Sequence, residues 1–103
     1  MIEQSEREYV FIMLSKYLGK KKAATAEKEI STFILEKEIK TLQSEINVNT
    51  VVLNGDNVKN GIHSVDEFKS GYAMGVKKYL EIKIERAGEK IKKAQQQIIE
   101  ILK

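Results

Sequence analysis

Leu80-Glu81-Ile82-Lys83-Ile84-Glu85-Arg86-Ala87-Gly88-Glu89-Lys90-Ile91-Lys92-Lys93-Ala94-Gln95-Gln96-Gln97-Ile98-Ile99-Glu100-Ile101 is the stretch that decides the fold. Its apolar residues Leu80, Ile84, Ala87, Ile91, Ala94, Ile98 and Ile101 recur at spacings of 4, 3, 4, 3, 4 and 3, which is a heptad seam. A seam of that period keeps one stripe of a helix against a neighbouring helix, so the packing is expected to be coiled-coil-like.

Upstream of the seam, Ser64-Val65-Asp66-Glu67 places a hydroxyl and a Glu at capping-box spacing, which predicts a helix over about 65–102. Ser5-Glu6-Arg7-Glu8 repeats the pattern and predicts a second helix over about 6–46. All five asparagines lie between Asn47 and Asn60, which marks residues 47–63 as the connector. The chain contains no proline to break either helix. The expected architecture is all-α: one domain over 1–103, an antiparallel helical hairpin that completes a bundle by oligomerising. The first helix shifts register near Gly19-Lys20-Lys21-Lys22, where a glycine could end a short helix, so a three-helix arrangement with a break near Gly19 is the alternative.

Pairing Ile46 with Ser64 across the hairpin puts Phe11 near Ile99, Ala23 near Ala87 and Phe33 near Gly75. There Gly71 and Gly75 leave two gaps four residues apart, a pattern of close helix approach. Tyr9-Val10-Phe11-Ile12-Met13-Leu14 covers the whole circumference of its helix, and Ile98, Ile99, Ile101 and Leu102 make a similar demand. A two-helix hairpin cannot bury all of this, so a dimer or higher oligomer is expected. The expected packing residues are Tyr9, Phe11, Ile12, Leu14, Phe33, Phe68, Gly71, Gly75, Leu80, Ile84, Ala87 and Ile91.

Composition weighs against an enzyme. There is no Cys, one His (His63) and two Asp (Asp56, Asp66), too little for a nucleophile, a metal site or a triad, so neither a cofactor nor a catalytic residue is expected. The longest apolar run, Tyr9 to Leu14, is far below the ~20 residues that span a bilayer. Glu3, Glu6 and Glu8 precede that run, unlike the basic start of a signal peptide. A cytoplasmic protein is expected, with export by a signal-peptide-independent route left open. The bias of Lys over Arg and Ile over Leu is that of an AT-rich coding sequence, bacterial or phage.

The connector is too apolar for a tether. Thr50-Val51-Val52-Leu53 before Asn54-Gly55 reads as a strand entering a type I′ turn, and Val51, Val52 and Leu53 are candidates for a partner-binding tip; a loop folded over the bundle end is the alternative. The net charge of +3 resides after residue 63, where Tyr72, Lys77, Lys78, Tyr79 and Arg86 could gather a small nucleotide-like anion between chains. Lys90, Lys92 and Lys93 could track phosphates, but Glu81, Glu85 and Glu89 are interleaved as on a solvated face, which argues against nucleic acid.

Phe68-Lys69-Ser70-Gly71, in a chain of two long helices, resembles the aromatic-x-Gly element of WXG100-like proteins, the helical-hairpin partners of type VII secretion. Phe68 stands for the family's Trp and the glycine comes one residue later. The family's Tyr-x-x-x-acidic export signal has no match, since Tyr79 is followed by Lys83. The resemblance implies a secreted dimer or a targeting chaperone. The function expected from the residues themselves is a non-enzymatic, oligomeric interaction module that works on an unidentified protein partner.

Overall fold

The computed structural model describes residues 1–103 and contains four helices and no strand: α1 (Gln4–Leu18), α2 (Lys20–Leu53), α3 (Asp56–Ile62) and α4 (Glu67–Leu102). The all-α expectation holds, but the helix expected over 6–46 is two helices, as in the three-helix alternative. Gly19 is the break, with φ 78° and ψ 162°, a region that a Cβ makes costly. Its N–H donates to Ser15 O (3.2 Å) to close α1, and its carbonyl accepts from Ala23 N–H (3.0 Å) to open α2. The lysines after it therefore begin α2.

The connector expected over 47–63 is mostly helical. Once α2 is nucleated each further residue adds a hydrogen bond, and the β-branched Val48, Thr50, Val51 and Val52 cost only a few tenths of a kcal/mol apiece. The strand and type I′ turn are absent because that turn requires positive φ, whereas Gly55 sits at φ −72° and serves as N-cap of α3. The caps also move. Glu6 accepts the Glu3 N–H (3.2 Å), so α1 begins before Ser5. At α4 the cap is Asp66, whose Oδ1 accepts from Phe68 N–H (2.9 Å) and Lys69 N–H (3.2 Å); Ser64 Oγ accepts only from Asp66 N–H.

The chain forms two compact units, residues 1–40 with 90–103, and residues 41–89. In the first, Leu35 is fully buried with Ala94 and Ile101, flanked by Ile2, Ile39 and Ile98. Leu102 shares a surface hollow with Thr32 and Phe33 while Leu35 meets Ala94, so α4 runs antiparallel to α2 here. This register differs from the one obtained by pairing Ile46 with Ser64, because α2 runs on to Leu53 and α3 follows it; Phe33 itself is exposed.

α1 folds back along α2. Arg7 forks Glu27, with Nε bonding Oε1 and Nη2 bonding Oε2 (3.0 Å), and Ser31 Oγ donates to Glu27 Oε1 (2.9 Å). Ile2 N–H donates to Gln97 Oε1 (3.1 Å), and Gln97 Nε2 donates back to Ile2 O.

In the second unit Leu42, Val58, Ala73, Leu80 and Ala87 are buried. α3 lies against α4 at Gly61, where an added Cβ would fall 2.7 Å from that of Ala73. Ser70 Oγ donates to Ile62 O (3.1 Å) and ties the two helices at their joint.

Candidate interaction site

Within the 41–89 unit, the last turn of α2, α3 and the first turns of α4 enclose an open groove of about 580 Å³. Its floor is Val58, Gly61, Ala73 and Val76; Val52, Phe68 and Tyr72 form the walls. Asn57 and Lys69 are its polar lining residues. Each element has a local reason to be there. The Asp66 cap starts α4 so that Phe68 and Tyr72, four residues apart, share one face, and their rings stack at 6.5 Å. The missing side chain at Gly61 lets α3 approach α4 closely, which buries Val58 beneath the groove.

Phe68 is 81% exposed and Tyr72 69%. Two aromatic rings left in water beside an apolar hollow are a contiguous patch of the kind that marks an interaction surface.

Of the residues expected at the tip only Val52 lines the groove; Val51 is exposed and Leu53 half-buried, all three on the last turn of α2. Gly71 and Gly75 do not receive a ring, since nothing lies within 4 Å of a Cβ at either. Both sit on the exposed side of α4, and the close approach expected of them occurs at Gly61. Leu80 and Ala87 are buried and Ile84 and Ile91 half-buried, which assigns the seam they form to the core of the single chain. In α1, Tyr9 and Ile12 are exposed and Phe11 and Leu14 half-buried, so this helix still presents an apolar side to solvent.

The residues considered for an anion do not converge on one helix face. Tyr72, Tyr79 and Arg86 share a stripe of α4, while Lys77, nine positions before Arg86 at about 100° per residue, points to the opposite side. Lys77 lies 4.0 Å from Glu81, and Lys83 covers the Tyr79 ring at 5.7 Å. His63 is exposed at the end of α3. No helix is long and apolar enough to cross a membrane.

Sequence reasoning missed Val58, Gly61 and Val76. The signal available for the first was Val58 with Ile62, an i, i+4 apolar pair inside the asparagine-rich stretch. The chain matches no protein-family model, no curated protein and no solved structure.

Proposed function

We propose that the chain is a non-enzymatic protein-interaction module, a self-associating helical protein that serves as adaptor, chaperone or inhibitor of a partner protein. The observation that carries this reading is the groove of the 41–89 unit, with an apolar floor and two stacked, exposed rings at its edge. An amphipathic partner helix with apolar residues at i and i+4 fits such a groove, and Lys69 favours an acidic residue on its polar side. The likeness of Phe68-Lys69-Ser70-Gly71 to the WXG100-like element supports the same reading, with export by a signal-peptide-independent route as its further consequence.

The test is a photo-crosslinking amino acid at Tyr72 in the native host, with Lys92, outside the groove, as control. A discrete adduct to a protein other than a second copy of the chain at 72, and none at 92, is the expected outcome. Adducts to nucleic acid alone, or native mass spectra in which the purified protein carries a nucleotide-sized mass, would replace this reading with ligand or nucleic-acid binding.

A further inference from the structure

α4 carries a second seam on its exposed side. Phe68, Tyr72, Gly75, Tyr79 and Ile82 recur at spacings of 4, 3, 4 and 3, out of phase with the buried Ala73, Leu80 and Ala87. Phe68, Tyr72 and Tyr79 are exposed, Ile82 is half-buried, and a Cβ at Gly75 would meet open space. The stripe therefore has coiled-coil period, and its rings remain exposed, with Phe68 stacked on Tyr72 and Lys83 over Tyr79 along the same helix.

Its pattern is self-complementary in one direction. In an antiparallel pair related by a two-fold axis, layers form between heptad positions a of one helix and d of the other. Centring the axis between Ala73 and Met74 pairs Tyr72 with Gly75 of the second copy, and Phe68 with Tyr79 of the second copy. Each Tyr72 ring then meets the gap left by a glycine, and the outer layers are aromatic pairs. Lys69 and Lys78, which flank the stripe, fall opposite Val76 and Gly71 of the second copy. A parallel pair would instead set Tyr72 on Tyr72, leave glycine facing glycine, and bring Lys78 beside Lys83 of the second copy, like charge against like. Shape and charge both select the antiparallel register.

We infer that the exposed face of α4 from Phe68 to Ile82 binds a second copy of this chain as an antiparallel two-fold pair, with Tyr72 seated over Gly75 of its mate. The inference rests on the self-association proposed above and gives it a face and a register. Because Phe68 and Tyr72 also wall the groove, the second copy covers part of that wall.

The chain has no cysteine, so a single introduced one reports a single contact. Under mild oxidation a mixture of Gly75→Cys with Tyr72→Cys should form a linked dimer about tenfold faster than a mixture of Gly75→Cys with Lys77→Cys on the other side of α4, since bridging requires Cα atoms within about 7 Å. Tyr79→Cys should link to Phe68→Cys in a mixture and not to itself. Self-linking of Gly75→Cys faster than its link to Tyr72→Cys, or self-linking of Tyr79→Cys, would overturn the register. In sedimentation equilibrium the parent should associate, and Gly75→Lys, folded by circular dichroism, should weaken association about tenfold or more. A parent that stays monomeric at about 1 mM, too weak for a specific interface, overturns the dimer. The interaction module fails separately: a monomer that still gives a discrete heterologous adduct at Tyr72 keeps it.

Discussion

Gly61 of α3 and Ala73 of α4 stand so close that the hydrogen on one α-carbon occupies the only space a methyl group could take, 2.7 Å from the other's Cβ. Gly61→Ala should therefore push α3 off α4. A cost of about 1–3 kcal/mol is expected from overpacking, read as a lower melting temperature and a blue-shifted binding signal from any dye that enters the widened groove. Adding Ala73→Gly should recover part of the loss; if the single variant melts like the parent, the contact does not constrain α3.

Gly19 and Gly88 separate conformational from steric need. Neither has a neighbour within 4 Å of an added Cβ, but only Gly19 has positive φ. Gly19→Ala should destabilise by about 1–3 kcal/mol through backbone strain alone. Gly88→Ala, inside α4, should stabilise by up to about 1 kcal/mol through helix propensity. Chemical denaturation of the pair checks both signs.

Acid should loosen the Arg7–Glu27 clamp. The hydrogen bond from Arg7 holds the Glu27 carboxyl below its ordinary range, reinforced by Ser31 and opposed by burial. A group whose folded pKa is depressed contributes stability that is present above its unfolded value and lost as pH falls through the folded one. Stability should decline from the ordinary carboxylate range downward, and Glu27→Gln should flatten that part of the profile. At neutral pH the same variant should cost about 1.5–3 kcal/mol, the range for a hydrogen bond to a charged group. An unchanged acid limb in the variant would show that other carboxylates set it.

Thr32 has a buried hydroxyl oxygen without a hydrogen-bond partner. Thr32→Val keeps the shape and removes the unsatisfied group, so a gain of about 1 kcal/mol is expected. A loss measured by urea titration would mean that the hydroxyl is bonded in solution.

The long helices and the α4 seam are legible in the sequence because a heptad period is a local property: Leu80, Ala87, Ala94 and Ile101 are all buried at the spacing the residues display. The break at Gly19 is half legible, since a glycine before three lysines admits either a tolerated residue or a cap, and only the backbone angle decides. α3 is harder to read. Its Asp56, Asn57, Asn60 and Gly61 are weak helix formers, and burial of Val58 overrides their propensity. Close approach is a matter of tertiary register, so the glycine that a neighbour crowds, Gly61, carries no more signal in the sequence than Gly71 or Gly75, which nothing crowds. The partnership of Arg7 with Glu27 spans twenty positions and shows in advance only as a carboxylate set on the stripe Ala23, Glu27, Ser31, Leu35.

α1 has no fully buried residue of its own. The polar ties that fasten it lie at its N-terminal end, the Arg7 fork to Glu27 and, just ahead of the helix, the paired bonds of Ile2 with Gln97. Lifting such a helix breaks few apolar contacts, so its opening is a local event with a free energy well below that of global unfolding. Its amides should trade protons with solvent, and its peptide bonds admit proteases, long before those of the segment from Ala23 to Leu35 beneath it. The protein thus carries a detachable flank over a durable spine, joined by one glycine.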